Sequence, residues 1–266
     1  MKARIRFLPA MGGLVCLVGW TAGDLRLPAQ TAEPPSTPQA EESKTREITL
    51  EDRADIFMAR KSYLDAVDYY RRALKQSDFK NPSIWNKLGI SYQQQANHRE
   101  ARKAYNQAIR RKKDFAEPWN NLGTTYYLEN KFRKSLKYYQ RAIQLNPNSA
   151  PFHLNIGSSY YGMKKYKEAV QEYHTSLSLD PNVLTERSPL GTVVQARGTD
   201  PQFYFYLAKV FAALGRAEEA VRYLRRAFED GFKEQKRVTE DEDFQKISQH
   251  PAYIELMNSP PVAIKP

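Results

Sequence analysis

A period of 34 residues constrains this chain more than any other feature. Trp85 and Trp119 stand one period apart, and so do Leu88 and Leu122, Gly89 and Gly123, Tyr92 and Tyr126, and Tyr105 and Tyr139. One further step reaches Ile156, Gly157, Tyr160, Ala169 and Tyr173. Self-similarity at roughly 20–50 residues marks a supersecondary unit repeated along the chain. Numbering each unit from residue 82, 116 or 150, apolar side chains recur at positions 4, 7, 8 and 11, and again at 20, 24 and 27. Both sets fall on one helical face, so each unit reads as two amphipathic helices. Gly or Ala at position 8 is expected to face Ala at position 20, which lets the two backbones approach closely. Gly215 and Asn130 fall between the helices, where a left-handed residue ends the first. Pro147 and Pro181 fall after the second helix. A single pair cannot bury its apolar stripe, whereas stacked neighbours can, which predicts an all-α, one-dimensional stack.

The segments WNKLGISY, WNNLGTTYY and HLNIGSSYY, followed by ARKAYNQAI, SLKYYQRAI and AVQEYHTSL, resemble the tetratricopeptide repeat (TPR) family. Two weaker units complete the series. Residues 47–81 carry Leu50, Ala54, Phe57, Ala66, Tyr70 and Ala73, with one extra residue before the next unit. Residues 201–234 carry Tyr204, Leu207, Ala208, Phe211, Ala220, Leu224 and Ala227. Lys113, Ser135 and His153 depart from the family's usual Pro, Ala and Trp. The resemblance implies an α-solenoid of about five stacked helix-turn-helix units with a C-terminal helical cap. It also implies a concave groove, lined by the first helices, that takes a protein or peptide ligand. The positions that face such a groove in the family hold Asn86, Ile90, Gln93, Asn120, Asn121, Thr124, Tyr127, Leu154, Asn155, Ser158, Tyr161, Phe205 and Lys209. The basic pair of a carboxylate clamp is missing from repeats one to four.

The ends read differently. Lys2, Arg4 and Arg6 precede an apolar run from Phe7 to Trp20, the pattern of a secretory signal, with cleavage expected after Ala29 or Gly23. Val15 before Cys16 argues against a lipoprotein. The expected organisation is a signal peptide at 1–29, a flexible linker rich in Pro, Glu, Ser and Thr at 30–46, repeats one to four at 47–183, and an inserted loop at 184–200. Repeat five follows at 201–234, a helical cap at 235–258 and a loose tail at 259–266. Phe244, Ile247, Tyr253, Ile254 and Met257 are the expected apolar set of the cap, and the acidic residues of 240–243 are expected to be solvated.

Little in the sequence points to chemistry. Cys16 is the sole cysteine and the four His share no metal-binding spacing. No nucleophile elbow, phosphate-binding loop or paired-carboxylate site stands out. The expectation is therefore a non-enzymatic, cofactor-free interaction module or scaffold of the cell envelope. An uncleaved N-terminal segment would make it a membrane-tethered subunit instead. The net charge of +11 and the run Arg110, Arg111, Lys112 and Lys113 leave open a docking patch for an acidic partner, anionic lipid or nucleic acid. A cytosolic RNA adaptor using that run is the remaining alternative, and export argues against it.

Overall fold

The computed structural model describes residues 47–184 and 200–264. Among the described residues there are thirteen α-helices and no strand. Four consecutive pairs come first: α1 (Leu50–Ala59) with α2 (Tyr63–Gln76), α3 (Pro82–Gln94) with α4 (His98–Arg111), α5 (Ala116–Leu128) with α6 (Phe132–Leu145), and α7 (Ala150–Gly162) with α8 (Tyr166–Leu179). A fifth pair is α9 (Pro201–Ala213) with α10 (Ala217–Glu229). Three short helices follow, α11 (Gln235–Glu240), α12 (Glu242–Gln245) and α13 (Pro251–Asn258). The repeat period thus folds as an all-α stack of helix pairs. The expected signal, linker and inserted loop (184–200, save Leu184 and Asp200) lie outside the described residues, as do the last two residues of the tail. Among the described residues no helix is long and apolar enough to cross a membrane.

Every pair turns on one left-handed residue at position 15: Lys61, Ala96, Asn130, Lys164 and Gly215, with φ between 55° and 71°. The N–H of the next residue returns to the carbonyl five residues back, Asn97 to Tyr92 and Lys165 to Tyr160, both at 2.9 Å. This is the Schellman ending of a helix. Only Asn130 and Gly215 announced it in the sequence. At Lys61, Ala96 and Lys164 the capping bonds and the packing of the two helices override a conformational cost of about 1–2 kcal/mol.

The close approach within each pair differs from expectation in its partner. A Cβ on Gly123 would lie 2.7 Å from the Tyr139 ring and 3.2 Å from the Ser135 carbonyl oxygen. On Gly157 it would lie 2.6 Å from the Tyr173 ring. Position 8 is small chiefly to seat the buried tyrosine of position 24, and only secondarily to admit the backbone of position 20. Repeat five shows the relation reversed, with Leu224 at position 24 and Ala208 at position 8, both fully buried. Ser135, which replaces an alanine, satisfies its buried hydroxyl against Ser159 at 2.8 Å and the Phe132 carbonyl at 2.9 Å.

Indole rings at position 4 pin the junctions between pairs. Trp85 Nε1 donates to the Phe79 carbonyl at 2.9 Å and Trp119 Nε1 to the Lys113 carbonyl at 3.2 Å. In repeat four the imidazole of His153 does the same work, its Nε2 donating to the Pro147 carbonyl at 2.9 Å. Its Nδ1 stands 2.7 Å from Glu172 Oε2.

Candidate functional site

The first helices α3, α5, α7 and α9 carry the residues expected to face a ligand. Buried polar groups need partners, and most of these side chains find theirs inside the stack. Asn121 Nδ2 donates to Asn86 Oδ1 at 3.0 Å, and Asn155 Nδ2 donates to Asn120 Oδ1 at 2.8 Å. The amide at position 6 of one repeat thus bonds the amide at position 5 of the repeat before it. Thr124 Oγ1 accepts from the Tyr139 hydroxyl at 3.1 Å, and Ser158 Oγ accepts from the Tyr173 hydroxyl at 3.3 Å. The Tyr161 hydroxyl donates to Asp200 Oδ2 at 2.8 Å, and the other oxygen of Asp200 caps α9. Asn86, Asn120, Thr124, Tyr127, Leu154, Asn155, Ser158, Tyr161 and Phe205 are all buried. The amides and Tyr161 tie one repeat to the next, Thr124 and Ser158 bond the second helix of their own repeat, and all nine are buried, which corrects the expectation that they line a ligand groove. Ile90, Gln93 and Asn121 remain partly exposed.

At the C-terminal end the cap covers the first-helix face. Phe205 stacks on Phe232 with ring centres 4.6 Å apart and touches Phe244. Arg237 lies 4.6 Å over the Phe205 ring and donates to the Tyr206 hydroxyl at 2.8 Å. Lys209 pairs with both Asp241 and Asp243. Burial pulls the Lys209 ammonium pKa down, but the bonds and charges of the two aspartates outweigh it and raise the pKa. Phe205 and Lys209 are therefore cap-docking residues. Asp241 and Asp243 are paired in this contact, which corrects their reading as solvated. The cap core contains Phe244, Ile247, Tyr253 and also Val238 and Leu256, while Ile254 is exposed.

At the other end Lys87 of α3 reaches back to α1, 2.8 Å from Glu51 and 2.7 Å from Asp55. Burial lowers its pKa and the two carboxylates more than restore it. Asp55 also accepts from the Tyr70 hydroxyl at 2.5 Å. Between repeats two and three, Glu129 is clasped by Lys131 and Arg102, whose hydrogen bonds hold its pKa at about 2.

The run 110–113 is exposed but is not a uniform patch. Arg111 lies 5.0 Å over the Trp85 ring and bonds the Phe79 carbonyl, and Lys112 lies 5.7 Å over Phe115. Arg110 and Lys113 extend into solvent. Among the described residues no group of three His, Cys, Asp or Glu side chains is placed to hold a metal ion.

Paired antiparallel helices, stacked in register and tied by a repeated ladder, define a helical-repeat solenoid. The chain belongs to the tetratricopeptide repeat family: sequence profiles of the tetratricopeptide repeat match residues 45–114, 116–149, 150–183 and 202–230. It is accordingly a protein–protein interaction module. No curated protein matches the chain in sequence. Similar solved structures include MamA, 22% identical over 69% of this chain and 96% of that one, with a TM-score of 0.47. TTC0263, a thermophilic TPR protein of Thermus thermophilus, is 18% identical over 70% of this chain and 92% of its own, with a TM-score of 0.49. YrrB, described as a TPR protein with an unusual peptide-binding site, is 18% identical over 70% and 86%, with a TM-score of 0.45.

Proposed function

We propose that this protein is a non-enzymatic scaffold of the cell envelope. It holds a peptide segment or partner protein against the first helices of repeats two and three, through Ile90, Gln93 and Asn121. The observation that carries this reading is the division of labour on that face. Most of its buried amides and hydroxyls are bonded inside the stack, between repeats or within one, so the few side chains left partly accessible stand on a rigid base. A pre-ordered surface loses little entropy on binding. Export is supported by the sequence alone, through Lys2, Arg4 and Arg6 ahead of the apolar run 7–20.

The test combines fractionation with site-specific photocrosslinking in the native host. A crosslinker at position 93 should capture a partner that one at position 222, on an exposed part of α10, does not. Ile90→Glu should abolish capture, and the protein should appear in the soluble envelope fraction with an N-terminus near Gln30. Equal capture from both positions, or recovery from the cytosol, would overturn the reading. Full-length protein in the membrane fraction would instead identify a tethered subunit.

A further inference from the structure

A groove opens between the second helices of repeats one and two. In repeats one, three and five a tyrosine at position 23 packs against aromatic rings of the first helix. Tyr69 stacks on Phe57 at 5.2 Å, Tyr138 on Tyr126 at 5.2 Å, and Tyr223 on Phe211 at 5.1 Å. Repeat two has Ala104 at that position. The missing ring leaves a cavity of about 460 Å³ between α2 and α4, floored by Leu74, Leu88 and Tyr92 and flanked by Trp85. That volume suits a bulky apolar side chain and its neighbours.

One wall of this groove is held in an unusual conformation. Repeat one is a residue longer than the period, and its connection contains two successive left-handed residues, Asp78 (φ 50°) and Phe79 (φ 56°). Neither is glycine, so the pair is strained. It is fixed by three bonds: the Phe79 N–H donates to the Leu74 carbonyl at 2.7 Å, and the Phe79 carbonyl accepts from Trp85 Nε1 and from Arg111. The result keeps the Phe79 ring 45% exposed at the groove. Strain maintained by a converging bond network, presenting an aromatic ring to solvent, points to a binding role.

The rim is cationic. Arg71, Lys75 and Lys103 border the groove beside one carboxylate, Glu100, which pairs with Lys103 at 2.7 Å, while neither Arg71 nor Lys75 is paired with a carboxylate among the described residues. Repeats two and three together hold thirteen Lys and Arg against four Asp and Glu. Such a field attracts an acidic partner. The aromatic faces discriminate between acidic partners. Arg111 covers Trp85 at 5.0 Å and Arg71 covers Tyr92 at 5.7 Å. With Trp85 and Tyr92 each covered by a guanidinium, Phe79 is left as a single open ring, too few for successive bases to stack along, whereas the cavity beside it accepts a side chain.

We propose that the groove between α2 and α4 docks an acidic peptide segment of a partner protein, with one bulky apolar residue seated where Ala104 leaves room. This surface is separate from the first-helix face of the preceding section, and either can fail without the other.

The test is panning of a displayed random-peptide library on the full chain, in parallel on Ala104→Tyr, on Arg71→Glu with Lys75→Glu, and on Ile90→Glu. Ala104→Tyr supplies the ring that repeats one, three and five carry, so circular dichroism melts should match the parent. Peptides enriched on the parent should combine Asp or Glu with a large apolar residue. In anisotropy they should bind Ala104→Tyr and the charge-reversed variant about tenfold more weakly or worse. Binding to the Ile90→Glu variant should be unchanged. The proposal falls if the enriched peptides lack acidic residues, if they bind Ala104→Tyr as well as the parent, or if none is enriched. It falls equally if an oligouridylate competes them off and is itself blocked by Ala104→Tyr, which would make the groove a nucleic-acid site.

Discussion

Single positions in this fold are constrained by one neighbour each. Gly123 is small because the Tyr139 ring occupies the space of its Cβ. Tyr139 is itself fully buried and cannot swing away. Gly123→Ala should therefore destabilise the protein by about 1–3 kcal/mol, the usual cost of overpacking, read as a shift in urea unfolding. Gly215→Ala should cost less, because open space surrounds its Cβ and only the left-handed φ of 71° resists. The sequence made the small residue at position 8 plain but hid its partner, since spacing shows which positions are small and not which side chain arrives there. The left-handed lysines 61 and 164 were equally hidden. Nothing in a lysine marks it for positive φ; the Schellman bonds around it do.

At the scale of elements, the cap rests on α9 through α11 and α12 and on α10 through α13. Lys209 ties α12 through Asp241 and Asp243, and Arg237 ties α11 through the Tyr206 hydroxyl and the Phe205 ring. Lys209→Ala removes the cation that Asp241 and Asp243 share, leaving Asp243 with Lys246 alone. Hydrogen exchange should then accelerate through 235–258 while the protection of α3 to α6 is unchanged, because a repeat contacts only its neighbours. Unchanged exchange in the cap would show that Phe205, Phe232 and Phe244 hold it unaided. The existence of the cap was legible from its apolar residues after Gly231. What it covers was not, because the groove-facing positions of repeat five follow the same spacing whether a ligand or the chain itself sits on them. Spacing alone therefore assigns Phe205 and Lys209 to a ligand, and the cap takes them instead.

Over the whole molecule, acid should loosen the stack through its clasped carboxylates. Glu129 has an ordinary value of 4.5 and sits at about 2 in the fold, and Asp243 is also lowered, with the bonds and charges of Lys246 and Lys209 outweighing burial. A carboxyl depressed by folding stabilises fully above its unfolded value and loses that contribution as pH falls toward its folded one. Melting temperature should hold steady from pH 7 to about 5 and fall from there to pH 2, with Glu129→Gln less stable at pH 7 and flatter below pH 5. A parent and variant of identical slope would remove Glu129 from the account. The repeat architecture was readable because a period integrates many weak positions into one signal. The face that binds was not, since the family spacing gives a position's direction but not whether a neighbouring repeat has already claimed it. Asn86, Asn120 and Asn155 look like ligand amides by spacing and are bonded to, or buried by, the next turn of the stack.

The amide ladder also bears on how such a chain can gain or lose length. Its bond is written with position 6 of one repeat and position 5 of the repeat before, and repeats two and three both carry Asn at position 5. A deletion of residues 116–149 would bring Asn155 opposite Asn86 and re-form the same bond. Deleting repeat four instead would set Tyr206 against Asn120, with no amide to answer it. Unit three is spliceable and unit four is not, so descendants of this sequence have one seam at which a whole unit can be dropped or copied with the ladder intact.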